Sequence, residues 1–192
     1  MTIQVSDSKI HWNYFLALER DLEVVSRYVE FSNKNLPTYS IELAHLLFAA
    51  ASEVDVLAKL LCNLFDANSK RKNIDQYREL LMQKYPDFPD VEISIPRYGL
   101  TFHPWLNWKN GTNPIWWKSY NNVKHERNAY FHEATLQNTL NAMGALLIMT
   151  AHYYAQKLQP GENNTPNVNL IMQHLRPESS LIQLPNNYYH DW

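Results

Sequence analysis

The feature that most constrains this chain is a seam of apolar residues at alternating steps of four and three. It runs through Leu43, Leu47, Ala50, Val54, Leu57, Leu61 and Leu64, and returns in Leu136, Leu140, Met143, Leu147, Thr150, Tyr154 and Leu158. That spacing puts each set on one stripe of an α-helix, and such a stripe has to be buried against other helices. A looser run joins Ile10, Tyr14, Leu18, Leu22, Val25 and Val29, and a shorter one holds Tyr77, Leu80, Leu81 and Tyr85. The periodicity predicts helices near 8–31, 40–66, 73–85, 115–126 and 130–158. The expected fold is therefore all-α, an up-and-down bundle of four to five helices.

Residues 86–115 break the period with Pro86, Pro89, Pro96, Pro104 and Pro114, two glycines, Trp105 and Trp108. Val91–Ile95 alternates apolar and polar residues and reads as a short strand or hairpin arm. A long aromatic insert of this kind is expected over a core edge or a binding cleft. The bundle domain then spans 1–158, with 159–192 as an Asn/Pro-rich C-terminal extension. Leu170–Leu175, Leu181–Leu184, Tyr188, Tyr189 and Trp192 would bring that extension back onto the bundle.

Composition removes several function classes. The four glycines, Gly99, Gly111, Gly144 and Gly161, cannot form a G-x-G-x-x-G or P-loop phosphate cradle. The single cysteine, Cys62, leaves no intrachain disulfide and no multi-cysteine zinc site, and its apolar surroundings suit an inert buried thiol. The apolar stretches Leu46–Ala51 and Ala145–Met149 fall far short of the roughly 20 residues that cross a bilayer. The first fifteen residues lack a basic region followed by an apolar core. These readings place the protein in the cytoplasm, with no membrane partner.

The net charge of −2 hides an uneven distribution. Between Trp105 and Phe131, Lys109, Lys118, Lys124 and Arg127 face Glu126 alone, which makes the segment +3 and the remainder −5. Trp108, Trp116, Trp117, Tyr120, Tyr130 and Phe131 are interleaved with those charges. Basic groups among aromatics suit phosphate contacts and base stacking. The same pattern also describes a solvated helix face over an aromatic core, and Trp116-Trp117 reads first as core and interface packing.

On a continuous helix His125, Asn128 and His132 would share one stripe, with Lys124, Arg127 and Phe131 on the next. Arg127 and His132 would splay apart unless a helix start or kink falls between them. Histidine exchanges protons near neutral pH, and arginine grips a phosphoryl group and stabilises developing charge. Together they suffice for RNA cleavage by attack of a 2′-hydroxyl on the adjacent phosphate. Glu53 interrupts the seam of the second helix, and a carboxylate there needs a donor, for which Arg127 or His125 would serve. Asp55 lies on another side, near Ala44, Ala51 and Cys62.

The run Arg127-Asn128-Ala129-Tyr130-Phe131-His132, at the entry to the final long helix, resembles the R-x4–6-H motif of the HEPN superfamily, in which a polar residue often follows the arginine. Arg97 and His103 have the same kind of spacing but lie in the insert. The resemblance implies a small helical bundle and a metal-independent endoribonuclease of a stress, toxin–antitoxin or phage-defence system. It implies a homodimer whose motifs line one cleft, and an antitoxin or other protein as possible partner. Arg127 would stabilise the phosphate, His132 would be the acid or base, and Asn128 would orient one of them. Lys118, Lys124 and His125 would bind the RNA backbone, with Glu53 as a supporting acid and no metal or cofactor. Inactive members of the superfamily serve as binding modules, which is the competing reading. A weaker one is a small-molecule or nucleotide-binding bundle with the insert as a lid.

Other motifs fail on residue identity. His132-Glu133-Ala134-Thr135-Leu136 begins like H-E-x-x-H but has leucine at the second ligand position. His45, His103 and His152 with Glu53 supply no second Glu-x-x-His pair beside Glu42-Leu43-Ala44-His45, where a bundle di-metal site uses two, and no G-x-S-x-G turn is present.

Overall fold

A computed structural model of the chain describes residues 8–68, 70–158, 171 and 175–185. Among them, six α-helices and one small hairpin form an all-α bundle with an irregular insert. The first helix, α1 (Ile10–Ser26), buries Trp12, Phe15, Leu18, Leu22 and Val25, whereas Ile10 and Tyr14 of the expected stripe are exposed because the buried face is centred on Trp12 and Phe15. It stops five residues short of the expected Phe31, and turns lead on from it, although Phe31 itself is buried. Ser40 caps α2 (Ile41–Phe65) by accepting from the Leu43 N–H at 3.1 Å. The expected seam is buried from Leu43 to Leu61, whereas Leu64 in the last turn is 43% exposed. Asn73 caps α3 (Ile74–Lys84) in the same way.

The insert holds one antiparallel hairpin. Strand β1 (Ile93–Ile95) pairs with β2 (Leu100–Phe102), Ile93 opposite Phe102 and Ile95 opposite Leu100. Gly99 supplies the left-handed residue of the connection, at φ 62°. The expected strand arm is thus present, and its partner lies just beyond the turn. The aromatic side chains of the insert are part of the core. Phe88, Trp105, Trp108 and Trp116 are buried together, with the Trp105 and Trp108 rings 4.3 Å apart. The Trp116 indole N–H donates to the Pro104 carbonyl at 2.8 Å.

The chain then forms α4 (Ile115–His125), a single turn α5 (Arg127–Tyr130), a 3₁₀ turn at Phe131–Glu133, and α6 (Leu136–Leu158). Where one long helix from 130 was expected, the chain therefore bends twice. Helix α6 lies along α2, and Thr139 Oγ1 donates to the Leu43 carbonyl at 3.0 Å. The insert covers the other side of α6, so that helix is buried almost all round. Leu181, Ile182 and Leu184 of the C-terminal extension are buried, and Gln183 pairs with Ser94 of β1. Ile171 and Leu175 are buried too. Tyr188, Tyr189, Trp192 and most of 170–174 lie outside the described residues.

Gly144 of α6 marks the closest approach of insert and bundle. A Cβ there would sit 2.6 Å from Cγ1 of Ile93 and 3.2 Å from Cγ of Pro104. Alanine normally favours a helix interior over glycine by about 1 kcal/mol. Gly144→Ala is nevertheless expected to destabilise the protein by about 1–3 kcal/mol through overpacking. Thermal unfolding measures it, and a raised midpoint would contradict this docking of β1.

Two buried groups bear on stability and reactivity. His152 on α6 is packed against Tyr85 and Phe88, its Nδ1 2.8 Å from the Ile148 carbonyl. Burial pushes its pKa down from 6.5 to about 4, against the smaller opposite effect of that hydrogen bond. The unfolded chain then takes up a proton first as pH falls. Stability should be flat above about pH 6.5 and drop by up to about 3 kcal/mol towards pH 4. His152→Gln should remove that part of the slope in urea unfolding measured across this range. Cys62 is buried as expected, and burial pushes its thiol up to about 11.

Candidate functional site at the end of the fourth helix

Helix α4 is amphipathic, with Trp116, Ser119, Tyr120 and Val123 buried. It ends at Glu126, whose backbone (φ −137°, ψ 54°) leaves the helical region while its N–H still donates to Asn122. The Glu126 carbonyl then accepts from Ala129 and Tyr130 and starts α5 at a new angle. The stripes drawn for a continuous helix therefore do not form. Every residue from Lys124 to Ala129 is exposed at this joint. Lys124, His125, Arg127 and Asn128 present their polar groups to solvent together.

Arg127 lies with its guanidinium 5.3 Å from the ring centroid of Phe48 on α2, a cation–π contact. Lys124 donates to the Tyr120 hydroxyl at 3.2 Å, and Tyr120 packs edge-on against Phe48. Among the described residues, Lys118, Lys124 and Arg127 make no ion pair with a carboxylate. The Lys124 charge does reach Asp55, where burial raises the carboxyl pKa against the opposing pull of Tyr77, Lys59 and Lys124. Lys118 and His125 point outward from α4.

His132 is exposed as well, but on the other flank. It borders a cavity of about 460 Å³ between α4, the insert and the start of α6. Ser119 and Trp116 face this cavity, while Tyr120 and Lys124 face Phe48 across the helix. Glu133 is held on the cavity side by the Asn122 amide at 3.0 Å. The break at Glu126 precedes Arg127, and a change from α5 to a 3₁₀ turn falls between Arg127 and His132; Arg127 rests on Phe48 and does not line the cavity that His132 borders, so the two lie on different flanks of α4.

Glu53 is placed elsewhere, and the expected link to Arg127 or His125 is corrected. It meets Nδ1 of His11 from α1 at 2.5 Å, beside Tyr153 and Tyr154. The reason is tertiary: the face of α2 that carries Glu53 packs on α1, so its donor comes from 42 residues upstream.

The cavity brings in residues that motif spacing did not point to. His103, Asn107, Gln137 and Asn141 line it with Ser119 and His132. Ser119, a hydroxyl on the buried side of an aromatic helix, is the sequence sign that could have led there. Among the described residues, no group of three or more His, Cys, Asp or Glu side chains is arranged to hold a metal ion. No described helix is long and apolar enough to cross a membrane. The fold and the joint define an all-α bundle with an exposed, polar and basic helix break. No family model, curated protein or solved structure matches the chain.

Proposed function

We propose that this protein is a HEPN-like, metal-independent endoribonuclease of a cytoplasmic stress or phage-defence system, acting as a homodimer. The observation that carries the reading is the helix break at Glu126. It leaves Lys124, His125, Arg127 and Asn128 exposed together, with no carboxylate ion-paired to the cations among the described residues. A phosphodiester can approach such a joint directly.

In the reaction a 2′-oxygen attacks the adjacent phosphorus while its proton passes to a neutral imidazole, that of His132. The bond from phosphorus to the 5′-oxygen breaks, and that oxygen leaves with a proton taken from imidazolium or water. The product is a 2′,3′-cyclic phosphate and a free 5′-hydroxyl. Arg127 holds the non-bridging oxygens where negative charge grows, and Asn128 hydrogen-bonds the same phosphate. Lys118, Lys124 and His125 bind the flanking backbone. Because Arg127 and His132 flank α4 on different sides, the complete site takes Arg127 from one copy and His132 from the other. Glu53, tied to His11, supports the bundle and takes no part in the chemistry.

Incubation of the purified protein and of His132→Ala with total RNA in EDTA tests this. Cleavage by the wild type alone is expected, leaving cyclic phosphate ends. Cleavage that requires a divalent metal would overturn the mechanism. Absence of cleavage on any RNA, with the protein still binding a partner, would favour the non-catalytic interaction module.

A further inference from the structure

The cavity beside His132 has a composition that the ribonuclease reading does not require. Ser119 is only 4% exposed, it lines the cavity, and its hydroxyl has no hydrogen-bond partner among the described residues. The hydroxyl opens onto the cavity from an otherwise buried residue, where it can give and accept a hydrogen bond with a polar ligand. The side-chain amides of Asn107 and Gln137 likewise have no partner among the described residues. Asn141 spends its N–H on the Gln137 carbonyl at 2.9 Å and keeps its own oxygen free as an acceptor.

Two further properties narrow the ligand. The lining contains no lysine or arginine, and its one carboxylate, Glu133, accepts from Asn122. Apart from the two histidines, His103 and His132, the lining offers a free phosphate no cationic side chain. Amides place a donor and an acceptor side by side in one plane, which is the pattern of a nucleobase edge. Pro37, Pro104 and Ile115 (64% exposed) add apolar surface to the lining, against which a base face can pack. A volume of about 460 Å³ lies within the range of small-molecule sites.

We infer that this cavity is a nucleobase-binding subsite, in which one base of a ribonucleotide chain lies against Ser119 and the amides, with its sugar–phosphate at the mouth beside His132. His103 shares the cavity, 3.8 Å from Glu92, and borders the same mouth. The inference rests on the ribonucleolytic reading for its choice of ligand, but its test does not depend on cleavage.

The test is titration of isotope-labelled protein with each of the four ribonucleoside monophosphates, followed through the side-chain amide signals of Asn and Gln. Ribose 5-phosphate, inorganic phosphate and a free hexose serve as separate probes. Saturable shifts of the Asn107, Gln137 and Asn141 amides are expected with at least one nucleotide, and none with the base-free probes. Ser119→Ala and the surface change Gln137→Ala should each weaken that binding by about tenfold, with unchanged thermal unfolding. Equal shifts from ribose 5-phosphate or a hexose would overturn the base assignment. So would no saturation by any nucleotide, or full affinity in both variants. Nucleotide binding in a protein that cleaves no RNA would keep this subsite and remove the ribonuclease. Cleavage without nucleotide binding or base preference would do the reverse.

Discussion

Arg127→Ala and His132→Ala should each lower RNA cleavage by about 10²–10⁴-fold, the usual range for losing charge stabilisation or general acid–base help. Neither change should disturb the fold, because both side chains are exposed and make few contacts. The informative measurement is a mixture. If each site takes Arg127 from one copy and His132 from the other, a dimer of the two variants contains one intact site and one doubly defective site. Equal mixing with free exchange makes about half of the dimers mixed, so about a quarter of the wild-type rate should return. A site built within one chain would return nothing. Lys124→Ala should act differently: weaker RNA binding and a shallower salt dependence, with little change in single-turnover rate at saturation.

The placement of Arg127 shows how far a sequence can be read here. Helices α1, α2, α3 and α6 were legible because burial repeats at the helical period, and the seam of α2 is buried from Leu43 to Leu61. The end of α4 at Glu126 falls where the 115–126 helix was expected to stop, but the separate turn of α5 after it was not legible, since neither proline nor glycine marks it. It follows from the fold-back of α5 and the 3₁₀ turn that lets α6 start along α2. Glu53 was legible as a carboxylate needing a partner, but His11 as that partner depends on how α1 crosses α2. The cavity was the least legible feature. Its walls come from Pro37, the insert, α4 and α6, so no linear spacing connects Asn107 with Asn141. Arg97 and His103 are a case in between: spacing paired them, whereas the structure sets Arg97 near Glu23 and His103 on the cavity.

The largest stability effect should come from Glu19, whose importance no motif announces. It is 2% exposed in α1, and its carboxylate binds the C-terminal extension from 160 residues away. Its oxygens accept from the backbone N–H groups of Ser180, Leu181 and Ile182, each at 3.0 Å, and from the hydroxyl of Ser179. Trp12, two helical turns back, adds an indole N–H to the Pro177 carbonyl at 3.0 Å. Glu19→Ala would strand several of these donors beneath Leu181 and Ile182. Buried donors left without partners cost about 1–3 kcal/mol each, and release of the segment caps the total, so a loss of about 3–5 kcal/mol is expected. For a domain of this size that lowers the unfolding midpoint by about 10 °C. Glu19→Gln should be nearly as damaging, because its amide NH₂ would face donors. Limited proteolysis of both variants should cut the 175–185 segment first. A midpoint within about 2 °C of the wild type would refute the anchoring role. The loss would also reach the cavity. Gln183 pairs with Ser94 of β1, the hairpin leads directly into His103 and Pro104, and Pro104 bears on Gly144. Freeing the extension removes a support from that wall, so Glu19→Ala should weaken nucleotide binding as well as stability, although Glu19 itself touches none of the cavity residues.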